Sequence, residues 1–191
     1  MAVVDGMFLI NTNPLQQTNN ISSYADLLFN RFIRHYYQKG GTHVHLVFDN
    51  PGKHLFNPKE LEQKRRDDKQ EKGTTESKSH QHINFTPDTP IKRPWREYIN
   101  CCQCKRSIVQ AIGLAYLQKA RSKLYQGQKF FLGGCIAGDD NTTTAWVILA
   151  DHLIPQPESL YTLNSPEADM LIWCHALHSD AARVLIALVW P

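Results

Sequence analysis

The chain of 191 residues contains no apolar run approaching the ~18 consecutive residues that span a bilayer. No basic segment followed by an apolar stretch opens it, so neither a membrane span nor a secretory leader is expected. Five cysteines are an odd number, and Cys101, Cys102 and Cys104 crowd into one helical-looking segment. That spacing suits neither disulfide pairing nor a tetrahedral zinc site, which points to reduced thiols and an intracellular protein, nuclear or cytoplasmic. Among nine histidines there is no His-x-x-x-His pair. Glycine-rich phosphate loops are also missing: Gly6-Met7-Phe8-Leu9 follows the first apolar run without one, and Gly133-Gly134 lacks the required spacing, which excludes a Rossmann-type nucleotide binder. Between residues 98 and 138 there are six basic residues and no acidic one, while residues 139 to 191 carry seven acids and a single Arg183. The first part suits a polyanion and the second suits a cation.

Two short apolar runs end in the same acid. Ala2-Val3-Val4 is followed by Asp5, and Val44-His45-Leu46-Val47-Phe48 by Asp49 and the turn residues Asn50-Pro51-Gly52. Between them Ala25, Leu28, Phe29, Phe32 and Tyr36 recur at helical spacing from about Tyr24 to Gln38, with Ser22 or Ser23 as cap and Gly40-Gly41 as stop. Strand, helix, strand in this order argues a right-handed βαβ unit in a parallel sheet, whose ligands bind at the carboxyl ends of strands. Asp5 and Asp49 stand at those ends.

The region after Asp49 departs from this pattern. Asn57 to Arg66 starts like a helix, and Lys64-Arg65-Arg66 reads either as a solvated helix face or as phosphate contacts. The stretch from about 67 to 94 is polar and expected to be a flexible loop. One long helix is expected from Arg96 to about Leu124, with Ile108, Ile112, Ala115, Tyr116 and Ala120 as its apolar stripe. Its Lys105, Arg106, Lys119 and Arg121 extend a basic surface. Phe130 to Ile136 reads as a strand, and Ala145 to Ala150 suits strand or helix. His43 and His45 are expected to be sheet residues rather than ligands, and Asp139-Asp140-Asn141-Thr142 a surface turn. Ser165-Pro166-Glu167-Ala168-Asp169 combines serine cap, first-turn proline and two acids, a helix start running to about His178. Arg183 to Val189 is a final apolar strand.

Asp5, Asp49, Glu167 and Asp169 are hard oxygen ligands, a set that selects Mg²⁺ or Mn²⁺. Each also has a plainer use: Asp5 and Asp49 in turns, Glu167 and Asp169 against the helix dipole.

In order along the chain, Val3-Val4-Asp5-Gly6, Leu46-Val47-Phe48-Asp49-Asn50, the basic stretch Lys59 to Arg66, and Ser165 to Asp169 resemble the PIN-like, flap-endonuclease-type nucleases. The closer likeness is to animal proteins related to mobile elements, with an Asp-Asn-Pro-Gly turn and a Glu-x-Asp helix. Asn50 replaces the usual glycine, and Asp169 the second glutamate. The resemblance implies one α/β domain over residues 1–191, three-layered, with a mostly parallel central sheet flanked by helices. It implies a nuclease using Mg²⁺ or Mn²⁺ on DNA or RNA, with Asp5, Asp49, Glu167 and Asp169 holding metal and Lys64, Arg65, Arg66, Lys105 and Arg106 meeting nucleic acid. The family's next strand ends in further acids, whereas Arg183 to Val189 is followed by Trp190-Pro191. The expectation is therefore a domain lacking its C-terminal part, with weak or absent catalysis. The alternatives are a non-catalytic nucleic-acid or protein-binding module and a degenerate remnant.

Overall fold

The structure, a computed structural model, describes residues 1–16, 19–49, 83–136, 144–163, 168–181 and 183–187. Its frame is a six-stranded sheet in the order β5-β4-β3-β2-β1-β6. The strands are β1 (Ala2–Asp5), β2 (His43–Val47), β3 (Lys129–Gly133), β4 (Ala145–Leu149), β5 (Gln156–Glu158) and β6 (Leu185–Ala187). β1 pairs in parallel with β2 and β6, and β2 with β3, while β4 and β5 run antiparallel at one edge. The sheet is mostly parallel, as the βαβ reading requires, and Ala145–Leu149 is a strand. The register sets Asp5 opposite Val47, so Asp49 follows two residues beyond the paired part of the neighbouring strand.

Helices flank both faces. On one lie α2 (Ile21–Leu28), a π-helical turn (Phe29–Ile33) and α3 (Arg34–Gln38), then α4 (Trp95–Asn100) and α5 (Cys102–Lys119). Their apolar sides meet Val4, Val44, Leu46, Phe130 and Leu132 in the main core. Phe130 meets Phe29 and Tyr116 edge-on at 5.4 and 5.3 Å. On the other face α6 (Ala168–Leu177) buries Ala168, Leu171 and Ile172 against Val3 and Val47. Both parallel crossovers from β1 through β3 use the first face, and the return to β6 uses the second. The chain reverses around β1, so Asp5 lies at the switch point where such sheets open a crevice.

Several expectations change in detail. The helix after β1 begins at once as α1 (Gly6–Thr12). α2 is capped by Asn20, whose side chain accepts from Ser23 N at 2.8 Å, while Ser22 is buried and accepts from Lys119 Nζ at 2.7 Å. The expected helix from Arg96 is two helices, because Cys101 takes an extended backbone, with ψ 115°, between α4 and α5. Trp95 anchors α4 by donating Nε1–H to Ile10 O at 2.8 Å. Gly113, unfavourable in a helix by about 1 kcal/mol relative to alanine, is where α5 meets the segment after β3: a Cβ there would sit 2.8 Å from Cys135 Sγ. Residues 83–94, assigned to the flexible loop, are packed. Phe85 and Ile91 are buried, Pro87 O accepts from Ser22 N at 2.7 Å, and Asn19 O accepts from Ile91 N at 3.0 Å. The remainder of that loop lies outside the described residues, as does the turn expected at 139–142. Among the described residues no helix is long and apolar enough to cross a membrane.

Candidate acidic site at the carboxyl end of the sheet

The two strand-end aspartates hold the chain in the same way. Asp5 is the N-cap of α1: its Oδ1 accepts from Met7 N at 2.8 Å and from Phe8 N at 3.1 Å. Asp49 Oδ1 accepts from Ala168 N at 2.9 Å, which caps α6 across 119 residues of sequence. Each carboxylate is therefore held by one oxygen at a helix N-terminus, where the exposed N–H groups and the helix dipole favour a negative charge. In each, the second oxygen takes no hydrogen bond from the described residues. Both acids accept N–H groups at helix N-termini, while the Asn50-Pro51-Gly52 turn expected after Asp49 lies outside the described residues.

Asp169, in the first turn of α6, completes the group the structure brings together. Burial is the main cause that holds the Asp5 carboxyl above its ordinary range. The N–H groups of Phe8 and Met7 pull it back, and the negative charges of Asp49 and Asp169 push it up again. A carboxyl raised by burial and by neighbouring negative charge favours a proton or a cation beside it. This donor chemistry fits a hard divalent ion. The side chains themselves are not gathered into a cage: among the described residues, no three His, Cys, Asp or Glu side chains are close enough to share one ion. Glu167, the fourth acid of the expected set, lies outside the described residues, as do Lys64, Arg65 and Arg66.

The basic residues of α5 divide between the two ends of the molecule. Gly113 abuts Cys135 and Ile136, just beyond the carboxyl end of β3, whereas Arg121 donates Nε–H to Ala150 O at 3.3 Å, beyond the opposite end. Lys105 and Arg106 lie about two turns N-terminal to Gly113 on α5, on the side of Gly113 away from Arg121. Lys119 and Arg121 do not extend that surface. They are committed to Ser22 and Ala150, and neighbouring Lys123 pairs with Asp26 at 2.5 Å. A cleft of about 380 Å³ that includes Arg121 and His152 is likewise remote from the acids.

One pair of polar residues was not foreseen as a pair. His45 and His175 are fully buried, at 0 % exposure, and their Nδ1 atoms are 2.7 Å apart. Phe131 stacks on His45 with ring centres 4.1 Å apart, and Tyr161 stacks on His175 at 4.7 Å. His45 is the sheet residue it was expected to be. Its position between Val44 and Leu46, in a parallel strand covered on both faces, was the signal that a second polar group had to reach it. His175 gave no comparable signal inside its apolar helix.

The chain matches no protein-family model, and no curated protein or solved structure emerges as similar to it.

Proposed function

We propose that this chain is a PIN-like nuclease domain that hydrolyses phosphodiester bonds of DNA or RNA with Mg²⁺ or Mn²⁺. The observation that carries the reading is the placement of Asp5 and Asp49 at the carboxyl ends of the neighbouring parallel strands β1 and β2, with Asp169 in the first turn of the helix whose Ala168 N–H Asp49 accepts. Asp5 and Asp49 are each held through Oδ1 at a helix N-terminus, and their second oxygens take no hydrogen bond from the described residues. Asp169, with Glu167 preceding it in sequence, supplies further oxygens from α6. A bound divalent ion supplies Lewis acidity and lowers the pKa of a coordinated water. The protein's part is to hold the ion and to orient the phosphate. Lys105 and Arg106 stand on the same end of the molecule as the acids, where they attract the phosphate backbone, and Lys64, Arg65 and Arg66 add to that attraction.

The test is cleavage of flap, single-stranded DNA and RNA substrates in Mg²⁺ or Mn²⁺. The reading expects a slow metal-dependent rate that Asp49→Asn abolishes; a rate unchanged in that variant contradicts it. One observation favours the second reading, a binding module of the same fold: Asp5 and Asp49 already have structural work as caps. That reading expects a salt-sensitive affinity for single strands that EDTA does not alter.

A further inference from the structure

α6 carries two apolar stripes, and burial by itself does not choose between them. The stripe that faces the sheet is Ala168, Leu171, Ile172 and His175; the stripe that faces outward is Met170, Trp173 and Leu177, which are 54 %, 54 % and 74 % exposed. Both follow the i, i+3, i+7 spacing of a helix face. The outward one has side chains of comparable size, so apolar content alone does not distinguish the two faces.

What distinguishes the two orientations is polar. His45 projects from β2 into an otherwise apolar interface, where its Nδ1 lies 2.7 Å from His175 Nδ1, while the buried Nε2 atoms of both rings have no hydrogen-bond partner among the described residues. In that bond one imidazole donates and the other accepts, so the two rings hold opposite tautomers. Gly133 makes room for the second ring, since a Cβ there would sit 2.6 Å from His175 Nε2. Turned by the roughly 180° that separates the two stripes at about 100° per residue, α6 would leave His45 without its partner. The same rotation would carry Ala168 N away from Asp49 Oδ1 and Asp169 away from Asp5.

We infer that His45 and His175 are positioning residues: their hydrogen bond selects the face of α6 that docks on the sheet and thereby places Ala168 and Asp169 at the acidic site. A single buried polar pair that fixes register between apolar surfaces is an established device. The consequence for the carboxylates rests on the functional reading above; the choice of helix face does not. The titratable groups around the pair are His43 on β2, Lys129 on β3, the Met1 amino group at the head of β1, Tyr161 after β5 and Cys174 on α6, with Glu158 acting on Tyr161 and Asp180 on His43 and Tyr161. No carboxylate among the described residues acts directly on either ring. Protonation of the pair therefore gains no compensating charge, and acid releases α6.

The test combines amide hydrogen exchange of α6 with Mn²⁺ titration, on the full chain. His175→Leu removes the bond. It is expected to speed exchange of the α6 amides at least tenfold relative to β2 and β3 and to weaken Mn²⁺ binding at least tenfold. His175→Asn, whose side-chain amide reaches the former Nδ1 position, is expected to restore both to within threefold. In the wild type, exchange in α6 corrected for intrinsic rate rises between pH 7.5 and 5.5 before that of the sheet, and it does so less steeply in His175→Asn. That measurement decides the matter if His175→Leu does not fold. An α6 equally protected at both pH values, or His175→Asn behaving as His175→Leu while the sheet stays protected, overturns the inference. A wild type that binds no Mn²⁺ but shows the α6 responses retains the register role and removes the acidic-site reading. Mn²⁺ binding indifferent to both variants removes the register role and retains the site.

Discussion

Acid should weaken this fold at a pH where most carboxylates are still ionised. Burial pushes His45 down to about 2, with the neighbouring His175 as the next cause, and burial pushes His175 down to about 3. In the unfolded chain both titrate near the ordinary ~6.5. The unfolded state therefore binds two protons that the folded state refuses as pH falls below about 6.5. The stability the pair contributes is complete above that pH and declines toward about 3. Each group costs about 2 kcal/mol on going from pH 7 to pH 5, hence about 4 kcal/mol for the pair, against a total of ~5–15 kcal/mol for a domain. His43, lowered mainly by burial, acts in the same direction, while Asp5, raised mainly by burial, acts in the opposite one at lower pH. The assay is the urea midpoint at pH 7 and pH 5 for the wild type and for His45→Leu/His175→Leu. The wild-type midpoint should fall at pH 5 by the equivalent of about 4 kcal/mol with an unchanged m-value, and the double variant should lose much less. Equal midpoints for the wild type at the two pH values would show that the imidazoles are not held neutral in the interior, and the reasoning would fail.

Asp49→Ala should cost about 1 kcal/mol through loss of the α6 cap, whereas Asp49→Asn, an equally good cap, should change thermal stability by only a few tenths; thermal melts of the two variants separate the cap from the charge. Gly133→Ala drives a Cβ to within 2.6 Å of His175 Nε2 and should destabilise by about 1–3 kcal/mol, measured by urea unfolding. Phe130→Ala removes a fully buried ring from between Phe29 and Tyr116 and should cost ~3–5 kcal/mol; a loss below about 1 kcal/mol would contradict the core described for that face.

The parts of the fold legible in the sequence were those written in local pattern. Val3-Val4-Asp5 and Val44 to Phe48 are apolar runs that end in turn chemistry, and their pairing in parallel followed from the helix between them. The Ile108, Ile112, Ala115, Tyr116 stripe faces the core as its spacing required. What escaped was decided at a distance. Nothing near Cys101 announces the break between α4 and α5. Phe85 and Ile91 are isolated apolar residues in a polar stretch, and their burial depends on distant partners: Phe85 meets Tyr98 of α4 and Ser107 of α5, and Ile91 N donates to Asn19 O. The acids were legible as strand-end and helix-start residues, but the use of Asp5 and Asp49 at helix N-termini was not, because Ala168 N and Asp49 are 119 residues apart in sequence. The histidine bond joins residues 130 apart, and neither ring's sequence surroundings specify the other.

The most direct test of the central claim is calorimetric titration of Mn²⁺ into the purified chain, with Asp5→Asn/Asp49→Asn as the comparison, since both caps survive in that variant. Saturable binding in the wild type that disappears in the double variant, with the two proteins equally stable, is the predicted result. Equal binding by both proteins, or none by a well-folded wild type, would mean that the aspartates serve only to cap α1 and α6.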